Sequence, residues 1–187
     1  MTPAPGSNDP RVLRTRKDVL AQAMNILLSE GWNALTHARV ANQSGYSRAT
    51  IYAHWPERFD LISDAFGQYQ EIPHPQKTGD LETDLRGELT SFAQAMVEHR
   101  LDRVLASLAE HAQTTPEVVE IRQSFVAAGE APMREILHDI VSGSKREAVV
   151  MMLCGMVSHS VLMHGKAPSR AVINSAVEIV LHGLANK

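Results

Sequence analysis

Arg48, Thr50, Tyr52 and His54 crowd into seven residues directly after Ser47. Side chains of these types, projected from one rigid rod, can donate hydrogen bonds to base edges or phosphates. Arg48 offers a planar fork matched to guanine O6 and N7 or to a phosphate. Ala49 and Thr50 can meet a thymine methyl or a backbone group. Tyr52 has a competing reading as a core aromatic with a satisfied hydroxyl. Thr36 upstream and Arg58 downstream add a further donor each.

Other chemistries are poorly supplied. The chain has nine histidines, but no two stand at the i, i+4 spacing of a metal-binding helix. The dipeptides Glu98-His99 and Glu110-His111 recur twelve residues apart, and His159 lies close to His164. With one cysteine, Cys154, neither a disulfide framework nor a thiolate metal site is available. The expectation is therefore no metal and no cofactor. No phosphate-cradling glycine loop, nucleophile elbow or distinctive carboxylate pair appears, so no enzyme is expected. His99 and His111 read instead as polar anchors of a mostly apolar ligand pocket walled by Phe92, Met96, Leu105, Leu108, Phe125 and Met133. Core packing explains the same residues equally well.

These side chains need elements to hold them. Thr36 can N-cap a short helix whose Val40 and Ala41 face inward, and Gly45 supplies the positive φ that ends it. Ser47 can then N-cap a second short helix, giving two helices joined by a glycine turn. A longer helix over about Val12 to Glu30, stopped by Gly31, precedes them, and another begins near Pro56. Residues 71–80, EIPHPQKTGD, break the pattern with two prolines and a glycine and mark a head–body junction. Beyond it Leu81 to Gln113 reads as two helices with a bend near His99 to Leu101. A helix opening at Thr114-Thr115-Pro116-Glu117 runs towards Val141, with Gly129 and Pro132 expected to kink or split it. Ser144-Lys145-Arg146-Glu147 reads as a capping box for the most apolar helix, which ends near Gly165. Ser169 caps a last helix with Ile173, Ala176, Val177, Val180 and Leu184 on one side. The result is an all-α fold of about nine helices. Its domains are a disordered lead over 1–10, a helix-turn-helix head over 11–70 and a larger body over 81–187.

Charge is distributed unevenly. Residues 1–60 carry seven Arg/Lys against five Asp/Glu, and the remainder eleven against sixteen, which together make the net −3. A modestly basic head on an acidic body fits phosphate contact at one end. Arg14 and Arg16 are placed to reach the minor groove or to remain a solvated arm. The apolar stretch Ala148 to Met163 is broken by Ser158, His159 and Ser160, so a buried helix is expected rather than a membrane span. The first ten residues lack an apolar signal-peptide core, and the single cysteine fits a reducing cytoplasm.

Residues 14–66 resemble the DNA-binding head of the TetR-type transcriptional repressor family. The resemblance rests on Glu30-Gly31-Trp32, Thr36, Val40-Ala41, Gly45, Ser47 and the Ile51-Tyr52-x-His54-Trp55 run before Arg58 and Leu61. Trp55 stands where Phe is usual, Ala49 where Gly is frequent and Arg58 where Lys is frequent. The resemblance implies DNA contact from Thr36, Ser47, Arg48, Ala49, Thr50, Tyr52, His54 and Arg58, with Tyr52 and His54 at phosphate-contacting positions. It also implies a homodimer joined through the last two helices, a near-palindromic double-stranded operator, and a small-molecule effector that releases the protein from DNA. An alternative is a protein-interaction module whose head has lost operator specificity; an all-α enzyme using the cavity and a histidine ranks below both.

Overall fold

The first helix starts where local chemistry sets it. The Asp9 carboxylate accepts from the Arg11 amide at 2.8 Å and Pro10 occupies the first helical position, so α1 spans Pro10–Glu30. This computed structural model describes residues 9–67 and 72–185. The lead expected over 1–10 otherwise lies outside them. A 3-10 turn, Trp32–Ala34, follows, then α2 (His37–Ser44), α3 (Arg48–His54) and α4 (Arg58–Gly67). Next come α5 (Leu81–Glu98), α6 (Leu101–His111), α7 (Pro116–Ile136), α8 (Gly143–His164) and α9 (Arg170–Ala185). The described residues are all-helical, with nine α-helices and no strand.

The chain divides into two compact units. One takes in residues 9–67 together with Ser107–Ile121; the other takes in Ile72–Ala106 and residues 122–185. The division falls inside α6 and inside α7, so it does not follow a single point in the sequence.

In the first unit α1 buries Val19, Leu20, Ala23, Met24, Ile26 and Leu27 against α2 and α4. Trp32 is buried, with its ring 6.4 Å from Phe66 and 4.7 Å from the His111 imidazole. Trp55 is 1% exposed; its indole N–H donates to Asp64 at 2.8 Å, and the Arg16 guanidinium lies 5.1 Å above the ring. Trp55→Ala is expected to destabilise this unit by roughly 3–5 kcal/mol, because a large buried side chain leaves a cavity. Trp55→Phe keeps most of the volume and loses one hydrogen bond, so about 1 kcal/mol is expected. Urea unfolding followed by circular dichroism separates the two values.

In the second unit α5 packs against both α8 and α9. It buries Leu85, Leu89, Ala93 and Met96, together with the carboxylate of Glu88. That carboxylate is held at 2.8 Å by the His74 imidazole from the segment before α5. Asp80 caps α5 by accepting from the Thr83 amide at 2.8 Å, and the Thr83 hydroxyl together with that amide holds its carboxyl below the usual range. Ion pairs join α5 to α9 (Arg86–Glu178, 3.2 Å) and α7 to α8 (Arg134–Glu147, 2.5 Å).

Several boundaries differ from expectation. The fourth helix begins at Arg58 rather than near Pro56, and Asp60 accepts from the Glu57 amide just ahead of it at 3.3 Å. Gly129 and Pro132 do not split α7, which is continuous to Ile136 and gives way to turns before Val141. A proline removes one amide donor and crowds the preceding turn, and here the helix stops four residues beyond it. The box at Ser144 does not form. Its Glu147 is drawn to Arg134, the helix begins at Gly143, and Ser142 at the cap makes no side-chain bond.

Candidate nucleic-acid interface

Two short helices build this site, and each is started by a hydroxyl. Thr36 sits in extended conformation, and its Oγ1 accepts from the Arg39 amide at 3.1 Å, beginning α2. Gly45 ends that helix in the left-handed region at φ 76°, ψ 2°, which any residue with a Cβ would enter at a cost of roughly 1–2 kcal/mol. Ser47 Oγ accepts from the Thr50 amide at 3.0 Å and lies 2.8 Å from the Thr50 hydroxyl, beginning α3. The chain thus turns sharply and starts again in a new direction.

Helix α3 has two distinct sides. Ile51 is fully buried and, with Trp55 at the cap, faces the interior. Arg48, Ala49 and Tyr52 are exposed, and Thr50 and His54 are half-buried. Arg48 makes no ion pair among the described residues. The exposed side therefore carries a free guanidinium and a phenol on a rod about 10 Å across, the width a B-DNA major groove admits.

Arg58 is engaged within the head. Its Nε donates to the Leu35 carbonyl at 2.7 Å, a second nitrogen donates to the Trp32 carbonyl, and the guanidinium lies over the Trp32 ring. Half-burial lowers its pKa below the ordinary arginine value. It ties α4 to the 3-10 turn, whose Trp32 carbonyl also accepts from the Leu35 amide.

Other cations of the head are also engaged. Arg16 lies within α1 and pairs with Asp64 at 2.5 Å. Arg14, likewise helical, stands 3.9 Å from Asp18. Arg39 makes two hydrogen bonds to Glu30, at 2.9 and 2.8 Å, which hold the Glu30 carboxyl below its usual range. The count of basic residues thus overstates the positive charge free to meet DNA.

Sequence reasoning missed His37. This first residue of α2 is buried, bonded through Nε2 to the Trp55 carbonyl and stacked on Tyr52. The contact joins positions fifteen and eighteen residues apart, and no helical period reports it.

Of the eight residues expected to wall a ligand pocket, two lie in the first unit and six in the second. Leu108 and His111 belong to the first unit, where His111 stacks on Trp32 and its Nδ1 meets the Ser107 carbonyl at 2.9 Å. His99 is exposed at the C-terminal cap of α5. Met96, Phe125 and Met133 are buried in the second unit, while Phe92 and Leu105 are half-buried there. An open groove of about 410 Å³ runs along α7, lined by Arg122, Gln123, Val126, Ala127, Glu130 and Arg134.

Cys154 on α8 has its thiol pushed up to about 12 by burial, with the Glu130 and Glu88 carboxylates adding to the effect. The thiolate is the reactive form, so raising the pKa slows alkylation. At pH 8 only on the order of one thiol in ten thousand would be ionised. Iodoacetamide is expected to label Cys154 rapidly in urea and far more slowly in the native protein, read by mass spectrometry.

A capped helix, a glycine turn and a second capped helix with one open polar side make a helix-turn-helix DNA-binding head. Residues 19–65 match the family described as bacterial regulatory proteins, tetR family. Residues 75–180, over half of the chain, match the tetracyclin repressor-like C-terminal domain. The chain belongs to the TetR family and is a DNA-binding transcriptional regulator. It is 27% identical over 184 residues to the HTH-type transcriptional regulator AqdR of Rhodococcus erythropolis, covering 92% of this chain and 86% of AqdR. The HTH-type regulator Rv1556 of Mycobacterium tuberculosis is 24% identical over 174 residues, covering 88% and 84% respectively. Among solved structures, the TetR family regulator SCO0332 superposes with a TM-score of 0.68 at 28% identity, covering 91% of this chain and 98% of that one. The flavonoid-responsive regulator FrrA shares the fold, with a TM-score of 0.72 at 16% identity over 91% of this chain and 95% of its own.

Proposed function

We propose that the chain works as a homodimer that lays two copies of α3 into successive major grooves of a near-palindromic operator, and that a small molecule bound in the second unit releases it. The carrying observation is the two-sided α3: Ile51 and Trp55 buried, Arg48 and Tyr52 open to solvent. In this reading Thr36, Ser47, Ala49, Thr50 and His54 complete the DNA-facing set. DNA binding is assigned to residues 11–70, and effector binding and dimerisation to 81–187. The α7 groove, with an arginine at each end and Val126 and Ala127 between, suits a ligand of mixed polarity. The pairing surface is the apolar side of α8 and α9 that leaves Met151, Met163 and Ile179 exposed by 68%, 68% and 66%. A second copy covers it, because a two-fold operator needs a two-fold protein. The site of action is the cytoplasm, where the operator lies.

Selection of duplexes from a randomised library by the full chain tests this. The expected product is an inverted repeat with half-sites about 10 bp apart, or a multiple of that, occupied by two chains in sedimentation. Failure to enrich any duplex over random sequence would remove the operator reading and favour a protein-interaction module.

A further inference from the structure

We infer that His37 is a positioning residue that fixes the roll of α3, through a hydrogen bond to the Trp55 carbonyl and a stacked contact with the Tyr52 ring. The inference rests on the operator-binding reading. His37 is 7% exposed and opens α2 directly after the Thr36 cap. Its Nε2 lies 2.7 Å from the Trp55 oxygen. A carbonyl can only accept, so Nε2 carries the proton and donates. That carbonyl belongs to the C-terminal cap of α3, where the helix itself supplies no partner. The imidazole and phenol rings lie 4.2 Å apart and within 10° of parallel, so one ring covers a face of the other.

Tyr52 and Trp55 stand one turn apart, so His37 grips the last turn of α3 at two points. The apolar contacts of Ile51 hold that helix in place but supply no directional bond. A roll of about 10° carries an atom 6 Å from the axis through about 1 Å. Base-edge hydrogen bonds span only a few tenths of an ångström around their optimum. An anchor that limits roll thus acts on sequence discrimination, while contacts that only hold the fold act on all duplexes alike. Here a buried polar bond and a ring stack perform that task, and both come from α2, the helix that α3 packs against.

The test uses the full chain, a duplex selected by the wild type and a random duplex of equal length. His37→Leu fills the site but removes donor and ring; His37→Gln restores an N–H donor. The Leu variant is expected to keep its helical circular dichroism, lose about tenfold in affinity for the selected duplex and stay within about twofold on random duplex. The Gln variant is expected to recover most of that loss. Should the Leu variant not fold, His37→Phe, which keeps the stack without the donor, carries the comparison. Unchanged affinity of the Leu or Phe variant for the selected duplex, or an equal loss on both duplexes, would overturn the assignment. A library that yields no preferred duplex would overturn the operator reading beneath it.

Discussion

Arg48→Ala is expected to remove most sequence-specific DNA binding while leaving the fold intact. Arg48 is the first residue of α3, exposed and without an ion pair among the described residues. Arg14, Arg16, Arg39 and Arg58 all have intrachain partners, so Arg48 is the head's best-placed free guanidinium on the open face. A base-edge contact of this kind contributes about 1–3 kcal/mol. In the proposed dimer the contact is made twice, so the loss should be roughly 2–6 kcal/mol, or between about thirtyfold and twenty-thousandfold. If the guanidinium met phosphate instead, binding to selected and random duplexes would fall together, and the salt slope would drop by about one per copy. Fluorescence anisotropy at several salt concentrations distinguishes the two contacts. Equal affinity of wild type and variant for both duplexes would sink any role for Arg48.

What the sequence made legible is local. Thr36, Gly45 and Ser47 act on residues within four positions of themselves, through a cap bond or a single backbone angle, and their helix boundaries could be read directly. Gly165, which ends α8 in the left-handed region at φ 68°, is the same kind of signal. Arg58 is the opposite case. Its partners are carbonyls 23 and 26 residues earlier, at a 3-10 turn that no periodicity announces. His37 was hidden for the same reason, since a polar residue on an amphipathic helix reads as surface until its partner is known. The pocket walls pose a different problem. Spacing places an apolar residue on a helix face but does not set which neighbour that face meets, and α6 passes from one compact unit to the other between Ala106 and Ser107. Of its two expected pocket residues beyond that point, Leu108 fills a core and His111 stacks on Trp32.

Met163→Glu combined with Ile179→Glu is expected to convert the protein to monomers and to weaken operator binding at least a hundredfold. Helix α8 is apolar on two sides. Val149, Val150, Leu153, Val157 and Val161 face the interior, whereas Met151, Met152, Leu162 and Met163 are 68%, 59%, 42% and 68% exposed. In α9, Ile173, Val177 and Val180 face inward while Val172 and Ile179 remain open. By length and composition α8 could also cross a bilayer, so its outer side has two conceivable covers, lipid or protein. The opposite side of α8 is packed on α5, which a lone membrane span would not require. Flexible methionines suit a face that must fit a copy of itself. Burying each such side chain contributes about 1.5–3 kcal/mol, and a two-fold interface repeats every contact. Four buried, unpaired carboxylates would therefore cost more than a typical dimer can offset. A lone head retains one half-site, which accounts for the loss on DNA. The variant should keep wild-type circular dichroism, because both positions are outside the monomer core. Sedimentation of wild type as a monomer, or of the double variant as an unchanged dimer, would show that this face is not the one that pairs; recovery of wild type with liposomes but not the variant would assign it to lipid.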